Sequence, residues 1–237
     1  MPINTYNEHG LHASLKLALA HPGATLETPR HGYIIDIIQP DGELVEIQTS
    51  GLGKLRRKLT HLSTAGERIR LVLPIAVRTT LHGPTPGVTR TSPKKGTLTD
   101  VFADLVHAPH VVALPGLRLT VALVEQTVHR AAPTPTTHRR RWRHRPLTTS
   151  RDLRRILDIV EFPDQTALTD RFLPATLSHP FTTADLATAL TIHRRQAQQI
   201  AYVFRALGLI TPINETQKRN IAYLRLPPPT KPLYPPD

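Results

Sequence analysis

The amino-acid sequence predicts a mixed α/β protein whose core runs helix, strand, strand, strand, helix, strand. Leucines recur at helical spacing in residues 7–20 and 51–63, which indicates two amphipathic helices. Apolar residues flank a Pro-Asp-Gly turn in residues 32–49, which is typical of two paired strands, and residues 24–28 precede them as a short strand. Apolar residues alternate through 68–77, which predicts the last strand of this core.

The turn between the second and third strands sets the geometry of the predicted core. If residues 40–42 form the loop, with Gly42 in the left-handed conformation, Asp36 lies directly opposite Glu46. Gln48 is two residues beyond Glu46 and therefore points to the same face. Directly opposed like charges destabilise a strand pair unless something offsets their repulsion, and a divalent cation would do so. The alternative is a solvent-facing pair whose repulsion is screened by water.

These polar groups suit the hydrolysis of a phosphodiester. Asp36 and Glu46 offer carboxylate oxygens to a hard divalent cation, and the backbone carbonyl of Ile47 could complete the ligand set. Gln48 cannot act as a base at neutral pH, but it can orient a water or bind a phosphate oxygen. Glu8 either stabilises the start of the first helix or reaches the cation from the side. The sequence therefore nominates Asp36, Glu46, Gln48 and Glu8 as catalytic residues.

Composition and charge indicate a cytoplasmic protein that binds a polyanion. The 237 residues include 30 Lys and Arg against 18 Asp and Glu, a net charge of +12 that favours nucleic acid, although a solubility charge is the alternative. The chain has no cysteine, which excludes disulfides and thiolate zinc sites. No apolar run reaches the ~18 residues that span a bilayer, and the N-terminus does not resemble a signal peptide.

The composition divides the chain into four segments. Residues 1–130 are predicted to form the α/β domain, residues 131–150 a basic linker rich in proline and arginine, residues 151–226 a second domain, and residues 227–237 a proline-rich tail. Within the first domain the sequence predicts a loop at 78–96, a helix at 97–106 and a strand at 117–128.

The second domain resembles a winged helix-turn-helix. Helices are predicted at 151–160, 167–177, 184–190 and 193–207, and short strands at 209–210 and 221–226. The last helix carries arginine and glutamine, which suit phosphates and base edges, although a solvated face of an interaction domain is the alternative. The residues nominated for DNA binding across the chain are Lys54, Lys58, Lys94, Lys95, Arg139, Arg140, Arg141, Trp142, Arg194, Arg195, Gln198, Gln199, Lys218 and Arg219.

The first domain resembles the PD-(D/E)XK nuclease superfamily, which has the restriction-endonuclease-like fold. The residues that carry the resemblance are Asp36 and the run Glu46-Ile47-Gln48 on a hairpin, after a helix that carries Glu8. The order of helices and strands is also similar to the core of that superfamily. The resemblance implies cleavage of DNA that depends on Mg²⁺ or Mn²⁺, with Asp36 and Glu46 as metal ligands.

The chain departs from the superfamily's usual pattern at one position. Gln48 stands where lysine is usual, and Lys54 or Lys58 on the following helix could supply the missing positive charge by turning inward. Nucleases of this kind often form dimers that cut both DNA strands, so the question of a homodimer is left open. The sequence shows no recognisable dimer interface.

Two other functions stay open on the sequence alone. The first is a non-catalytic DNA-binding regulator or adaptor that retains a nuclease-like scaffold. The second is a protein-interaction module in which the proline-rich tail, residues 227–237, recruits a protein partner. A metal-dependent cleavage assay separates the nuclease from both.

Overall fold

The computed structural model describes residues 10–85, 87–132, 147–213 and 221–227. Several residues nominated above lie outside this part of the chain. They are Glu8, Arg139, Arg140, Arg141, Trp142, Lys218 and Arg219, together with the tail beyond residue 227.

Helices and strands alternate in the first half of the described chain, and short helices dominate the last third. The elements are α1 (Leu11–Leu19), β1 (Thr25–Arg30), β2 (Tyr33–Ile38), β3 (Leu44–Ile47), α2 (Arg56–Thr64), β4 (Ile69–His82), β5 (Thr89–Thr91), α3 (Phe102–Leu105), β6 (Leu117–Ala131), β7 (Leu147–Phe162), α4 (Gln165–Phe172), β8 (Phe181–Thr182), α5 (Thr183–Leu190), α6 (Arg194–Ala206), β9 (Ile210–Pro212) and β10 (Ala222–Arg225). Short 3₁₀ turns lie at Leu52–Leu55, Leu98–Val101 and Pro109–Ala113.

A mixed sheet forms the centre of the molecule, in the strand order β1-β2-β3-β4-β6-β7, with β5 paired to β4. Strands β3, β4 and β6 run parallel to one another, whereas β1–β2, β2–β3 and β6–β7 are antiparallel pairs. The prediction of a mixed α/β protein is confirmed, and so is the element order from the first helix to the fourth strand. The crossover helix α2 joins β3 to β4, as two parallel neighbours require.

Both faces of the sheet are covered. Helix α1 packs Leu11, Leu15 and Leu19 against one face, where Ile37 and Val45 are fully buried. A larger apolar cluster covers the other face and includes residues of α2, α3 and α6. This arrangement leaves Asp36 and Glu46, on β2 and β3, between two helical layers.

The C-terminal helices share the core of the sheet rather than forming a core of their own. The ring of Phe204 on α6 lies 5.6 Å from that of Phe102 on α3, in an edge-on contact, and both side chains are fully buried. Gln196 of α6 also donates hydrogen bonds to Thr99 and Asp100, at 3.0 Å and 2.9 Å. The two predicted domains therefore contact each other through a shared apolar cluster.

The predicted helix at 151–160 is wrong, because these residues belong to strand β7, which pairs with β6 along its length. Three register shifts interrupt this pairing, and each inserts an extra residue into β7. The shifts break the two-residue alternation, so Leu153 and Ile156 face the α1 side while Val160 faces the other. Their spacing therefore imitates that of a helix.

The predicted linker and loop are also partly wrong. Residues 78–82 continue β4 and residues 89–91 form β5, so much of the predicted loop at 78–96 is strand. Strand β6 extends to Ala131 and β7 begins at Leu147, so both ends of the predicted linker lie in strands. The long pairing of β6 with β7 satisfies the backbone hydrogen bonds of these residues, and the local composition gives no sign of this pairing.

Candidate active site

The β2–β3 hairpin has the predicted register. Ile37 pairs with Val45 and Ile38 with Leu44, which is the register that places Asp36 opposite Glu46. The N–H of residue 42 donates to the carbonyl of residue 39 at 2.8 Å, and Gly42 has a φ of +84°. Glycine is the residue that adopts this left-handed conformation without strain, so the turn chemistry fixes the register.

The two carboxylates lie where the strands stop pairing. Beyond Ile37 and Val45 the backbone pairing of the two strands ends, and contacts from the side chains of Asp36 and Glu46 take its place. Asp36 Oδ2 accepts a hydrogen bond of 2.8 Å from the N–H of Ile47 on β3, and Glu46 Oε1 lies 3.4 Å from the N–H of Asp36 on β2. Each carboxylate thus contacts the backbone of the opposite strand, so the structure brings both into one gap.

Lys58 enters this gap from helix α2. Its Nζ donates to Glu46 Oε1 and to the carbonyl of Ile34, each at 2.6 Å. The side chains of Lys58 and Glu46 are only 14% and 3% exposed, so this is a largely buried ion pair. Lys54, one helical turn earlier, is exposed. Of the two lysines considered on the sequence, the structure turns only Lys58 inward.

His12 is a site residue that the sequence analysis did not nominate. It lies in the first turn of α1, and its Nε2 is 3.2 Å from Asp36 Oδ2. The sequence signal was weak, because a histidine next to Leu11 on an amphipathic helix can face either the sheet or solvent. The result is a cluster of two carboxylates, one lysine and one histidine, contributed by both helical layers and the sheet.

The two carboxylates have opposite pKa shifts. Burial, and next the negative charge of Asp36, raise the pKa of Glu46 to about 7, although Lys58 opposes them. Burial also acts to raise the pKa of Asp36, but the hydrogen bonds from His12 and the Ile47 N–H, with the positive charges of His12 and Lys58, hold it below its ordinary value. At neutral pH Asp36 is therefore ionised and Glu46 is only partly so.

The carboxylates fit a cation that needs few protein ligands. Among the described residues, Asp36 Oδ1 and Glu46 Oε2 accept no hydrogen bond, since every bond given above goes to the other oxygen. The carbonyl of Ile47 lies on the same edge of β3 as its N–H, which faces Asp36. No group of three or more His, Asp or Glu side chains in the described ranges is arranged to hold a metal. Mg²⁺ commonly uses one or two carboxylates and keeps several waters, so this pair suits it.

The remaining nominated residues lie at the edge of the gap or away from it. Gln48 is half-buried, and its Nε2 donates to the carbonyl of Ser50 rather than pointing to the carboxylates. The other described basic or polar residues nominated for DNA are exposed or half-buried at the surface: Lys54, Lys94, Lys95, Arg194, Arg195, Gln198 and Gln199.

The basic loop around Lys95 and the start of α6 are held together. Gln196 Nε2, beside Arg195, donates to Thr97 Oγ1 at 3.3 Å, two residues after Lys95. Tyr202, which the sequence analysis did not single out, is 53% exposed further along α6. Two nominated basic segments that are about a hundred residues apart in sequence are thus neighbours in space.

The fold and this site define a mixed α/β protein with a buried Asp–Glu–Lys cluster where two strands separate. The chain belongs to the family described as "Domain of unknown function (DUF8091)", which matches residues 9–163. It is 29% identical to an "Uncharacterized protein" of Treponema pallidum (strain Nichols), over 96% of this chain and 89% of that protein. No solved structure matches the chain. No helix in the described ranges is long and apolar enough to cross a membrane.

Proposed function

We propose that this protein is a DNA endonuclease of the PD-(D/E)XK type that requires Mg²⁺ or Mn²⁺. The observation that carries the proposal is the meeting of Asp36, Glu46 and Lys58 in the gap between β2 and β3. Active sites concentrate titratable groups with shifted pKa values, and this gap holds two carboxylates whose pKa values move in opposite directions.

The residues of the gap divide the work of phosphodiester hydrolysis. Asp36 and Glu46 would hold the cation through the oxygens that accept no hydrogen bond, with the Ile47 carbonyl beside them. When bound, a divalent cation neutralises phosphate charge and lowers the pKa of a bound water. Lys58 supplies a fixed positive charge that can stabilise a phosphate oxygen, and the neutral Gln48 lacks such a charge. His12 keeps Asp36 ionised and oriented.

The C-terminal elements support DNA as the substrate. Elements α4, β8, α5, α6, β9 and β10 follow the order of a winged helix, and the three short strands pair as β8-β10-β9. Helix α6 begins with Arg194 and Arg195, both exposed, and carries Gln198 on its surface. Such side chains contact phosphates and base edges, so we propose α6 as the helix that positions the enzyme on DNA.

A cleavage assay with matched variants tests the proposal. The full chain is incubated with supercoiled, linear, single-stranded and branched DNA in Mg²⁺, Mn²⁺ or EDTA. Cleavage is expected with either cation, and Asp36→Asn and Glu46→Gln are each expected to reduce it to the EDTA level. Asp41→Asn is the control, because Asp41 is an exposed carboxylate in the loop of the same hairpin. Cleavage that both site variants retain in full, while circular dichroism shows them folded, would overturn the proposal.

A non-catalytic DNA-binding regulator or adaptor is the second candidate, and one observation favours it. Gln48 occupies the usual lysine position and bonds to Ser50, while Glu46 is already neutralised in part by Lys58. This candidate predicts salt-sensitive DNA binding without cleavage under any metal. Cleavage that disappears in the Asp36→Asn variant would exclude it.

A further inference from the structure

A pair of histidines lies in the sheet far from the carboxylates. His82, the last residue of β4, is the direct neighbour of His129 on the parallel strand β6, and their ring centroids are 4.7 Å apart with a tilt of 47°. His82 lies ten positions beyond Val72 along β4, and Val72 pairs with Ile47 beside the candidate active site. At ~3.3 Å per residue this is roughly 33 Å, so the two regions are distinct.

A carboxylate orients one ring of this pair. Asp152 lies on β7, the strand that pairs with β6, and its Oδ2 is 2.8 Å from His129 Nε2. Histidines that ligate metals almost always give their other ring N–H to a carboxylate, carbonyl or water, which fixes the tautomer and strengthens the remaining nitrogen as a ligand. With Nε2 engaged by Asp152, Nδ1 is the ring nitrogen of His129 that is left to bind a cation.

We propose that His82 and His129 bind a transition-metal ion of the zinc class, with Asp152 as the residue that positions His129. Imidazole nitrogen suits Zn²⁺, Ni²⁺ and Cu²⁺, whereas Mg²⁺ and Ca²⁺ prefer oxygen. Water completes the coordination, since the site has two protein ligands. His129 and Asp152 are 41% and 47% exposed, so the ion reaches the pair from solvent without any rearrangement of the core.

The geometry makes a bound ion a cross-link between two strands. β4 and β6 pair along thirteen positions, and His82–His129 is the last of them, at the end of the ladder. An ion held by both side chains ties the strand ends together and stabilises the folded state by mass action. A tilted pair of histidines that binds no ion is the alternative, and it gives neither a cross-link nor stabilisation by zinc.

Zinc titration of the full chain tests the inference independently of the proposed function. Isothermal titration calorimetry at pH 7.5 is done in the Asp36→Asn/Glu46→Gln background, so that those carboxylates contribute no binding. One Zn²⁺ per chain is expected, and this binding is lost in His82→Gln and in His129→Gln. Asp152→Asn is expected to weaken it about tenfold, as loss of an orienting carboxylate does. His61→Gln and His107→Gln, which replace exposed histidines elsewhere, are the controls.

Two further measurements complete the test, and the second needs no variant. Zn²⁺ is expected to raise the Tm of the wild-type chain but not that of His82→Gln. In the wild-type chain, the NMR signals of two histidine rings should shift together during the titration. Equal Zn²⁺ binding by the His82→Gln/His129→Gln double variant would overturn the inference, and so would a wild-type chain that binds no Zn²⁺.

Discussion

Two charged regions of this protein differ in how deeply their charges are buried and in whether opposite charges compensate them. In the gap between β2 and β3, Asp36, Glu46 and Lys58 are largely buried, and Glu46 contacts both Lys58 and the backbone N–H of Asp36. At the start of α6, Arg194 and Arg195 are exposed, and no described acidic side chain lies within ion-pair distance of them. Buried charges cost free energy unless they are compensated, whereas exposed ones cost little. The first region is therefore suited to chemistry and the second to affinity for a polyanion.

After the two carboxylate variants described above, the largest effect is expected from Lys58→Met. This change removes the buried cation while keeping a side chain of similar length, and loss of such a fixed charge typically lowers the catalysed rate about 10²- to 10³-fold. Lys54→Met is the matched control, since Lys54 is a lysine four residues earlier that is exposed. Single-turnover cleavage at saturating DNA measures both. Equal rates for the two variants would show that the buried lysine has no catalytic part.

The second prediction concerns the stability of the folded chain against pH in EDTA. The pKa of Glu46 rises from 4.5 to about 7 on folding, so the folded state keeps a proton that the unfolded state has lost. Between pH 4.5 and 7 this carboxyl therefore lowers the free energy of unfolding as pH rises, by up to about 3 kcal/mol in all. Glu46→Gln, which cannot ionise, removes this slope.

Asp36 is expected to change the free energy of unfolding with pH in the opposite direction to Glu46 in the same experiment. Its folded pKa lies below the ordinary value of 3.8, so its stabilising contribution is present above that pH and is lost as the pH falls. Asp36→Asn should therefore alter the stability curve in acid. It should also make the slope between pH 5 and 7 less steep, because the charge of Asp36 is part of what raises the pKa of Glu46. Urea unfolding at a series of pH values measures both effects. Equal slopes of the free energy of unfolding between pH 5 and 7 in the wild-type chain and in Glu46→Gln would contradict the raised pKa of Glu46.

The sequence allowed the first region to be predicted in part. The turn residues fix the register of β2 with β3, so the facing positions of Asp36 and Glu46 followed from the turn at residues 40–42. Whether Lys58 turns inward did not follow, because a lysine at the edge of an amphipathic helix can extend to water as easily as to a buried carboxylate. The contact of His12 with Asp36 depends on how α1 docks on the sheet, which no local pattern encodes.

The fold was predicted where local pattern and tertiary pairing agree. The order from α1 to β4 followed from leucine spacing and strand alternation. Strand β7 did not, because its three register shifts displace apolar residues from alternation and its partner β6 precedes it across a long basic segment. Predicting that α6 packs on α3 would have required knowing that Phe102 and Phe204 meet, which is a long-range contact.

The third prediction tests the exposed region. Arg194→Gln/Arg195→Gln is expected to weaken DNA binding and to reduce the slope of log affinity against log salt by about 2, one for each lost phosphate contact. The cleavage rate at saturating DNA should not change, because neither arginine touches the gap. Arg171→Gln, an exposed arginine on α4, is the control. A reduced rate with unchanged affinity would reverse the roles assigned to the two regions.

The smallest effect is expected where the two basic segments, around Lys95 and around Arg195, are joined. Gln196→Ala removes hydrogen bonds to Thr97, Thr99 and Asp100, of which the last is to a carboxylate at 2.9 Å. Because these groups are only partly buried and water can replace the lost donor, we expect about 1 kcal/mol of destabilisation in urea unfolding.

Gln198→Ala, on the exposed face of the same helix, should stay within about 0.5 kcal/mol of the wild-type chain. If the hydrogen bonds of Gln196 also align Lys95 with Arg195, Gln196→Ala binds DNA more weakly than its loss of stability explains. Gln198→Ala then loses only its own contact with DNA. Unchanged affinity in Gln196→Ala would mean that the two basic segments bind DNA independently, and that the packing of Phe102 against Phe204 suffices to place α6.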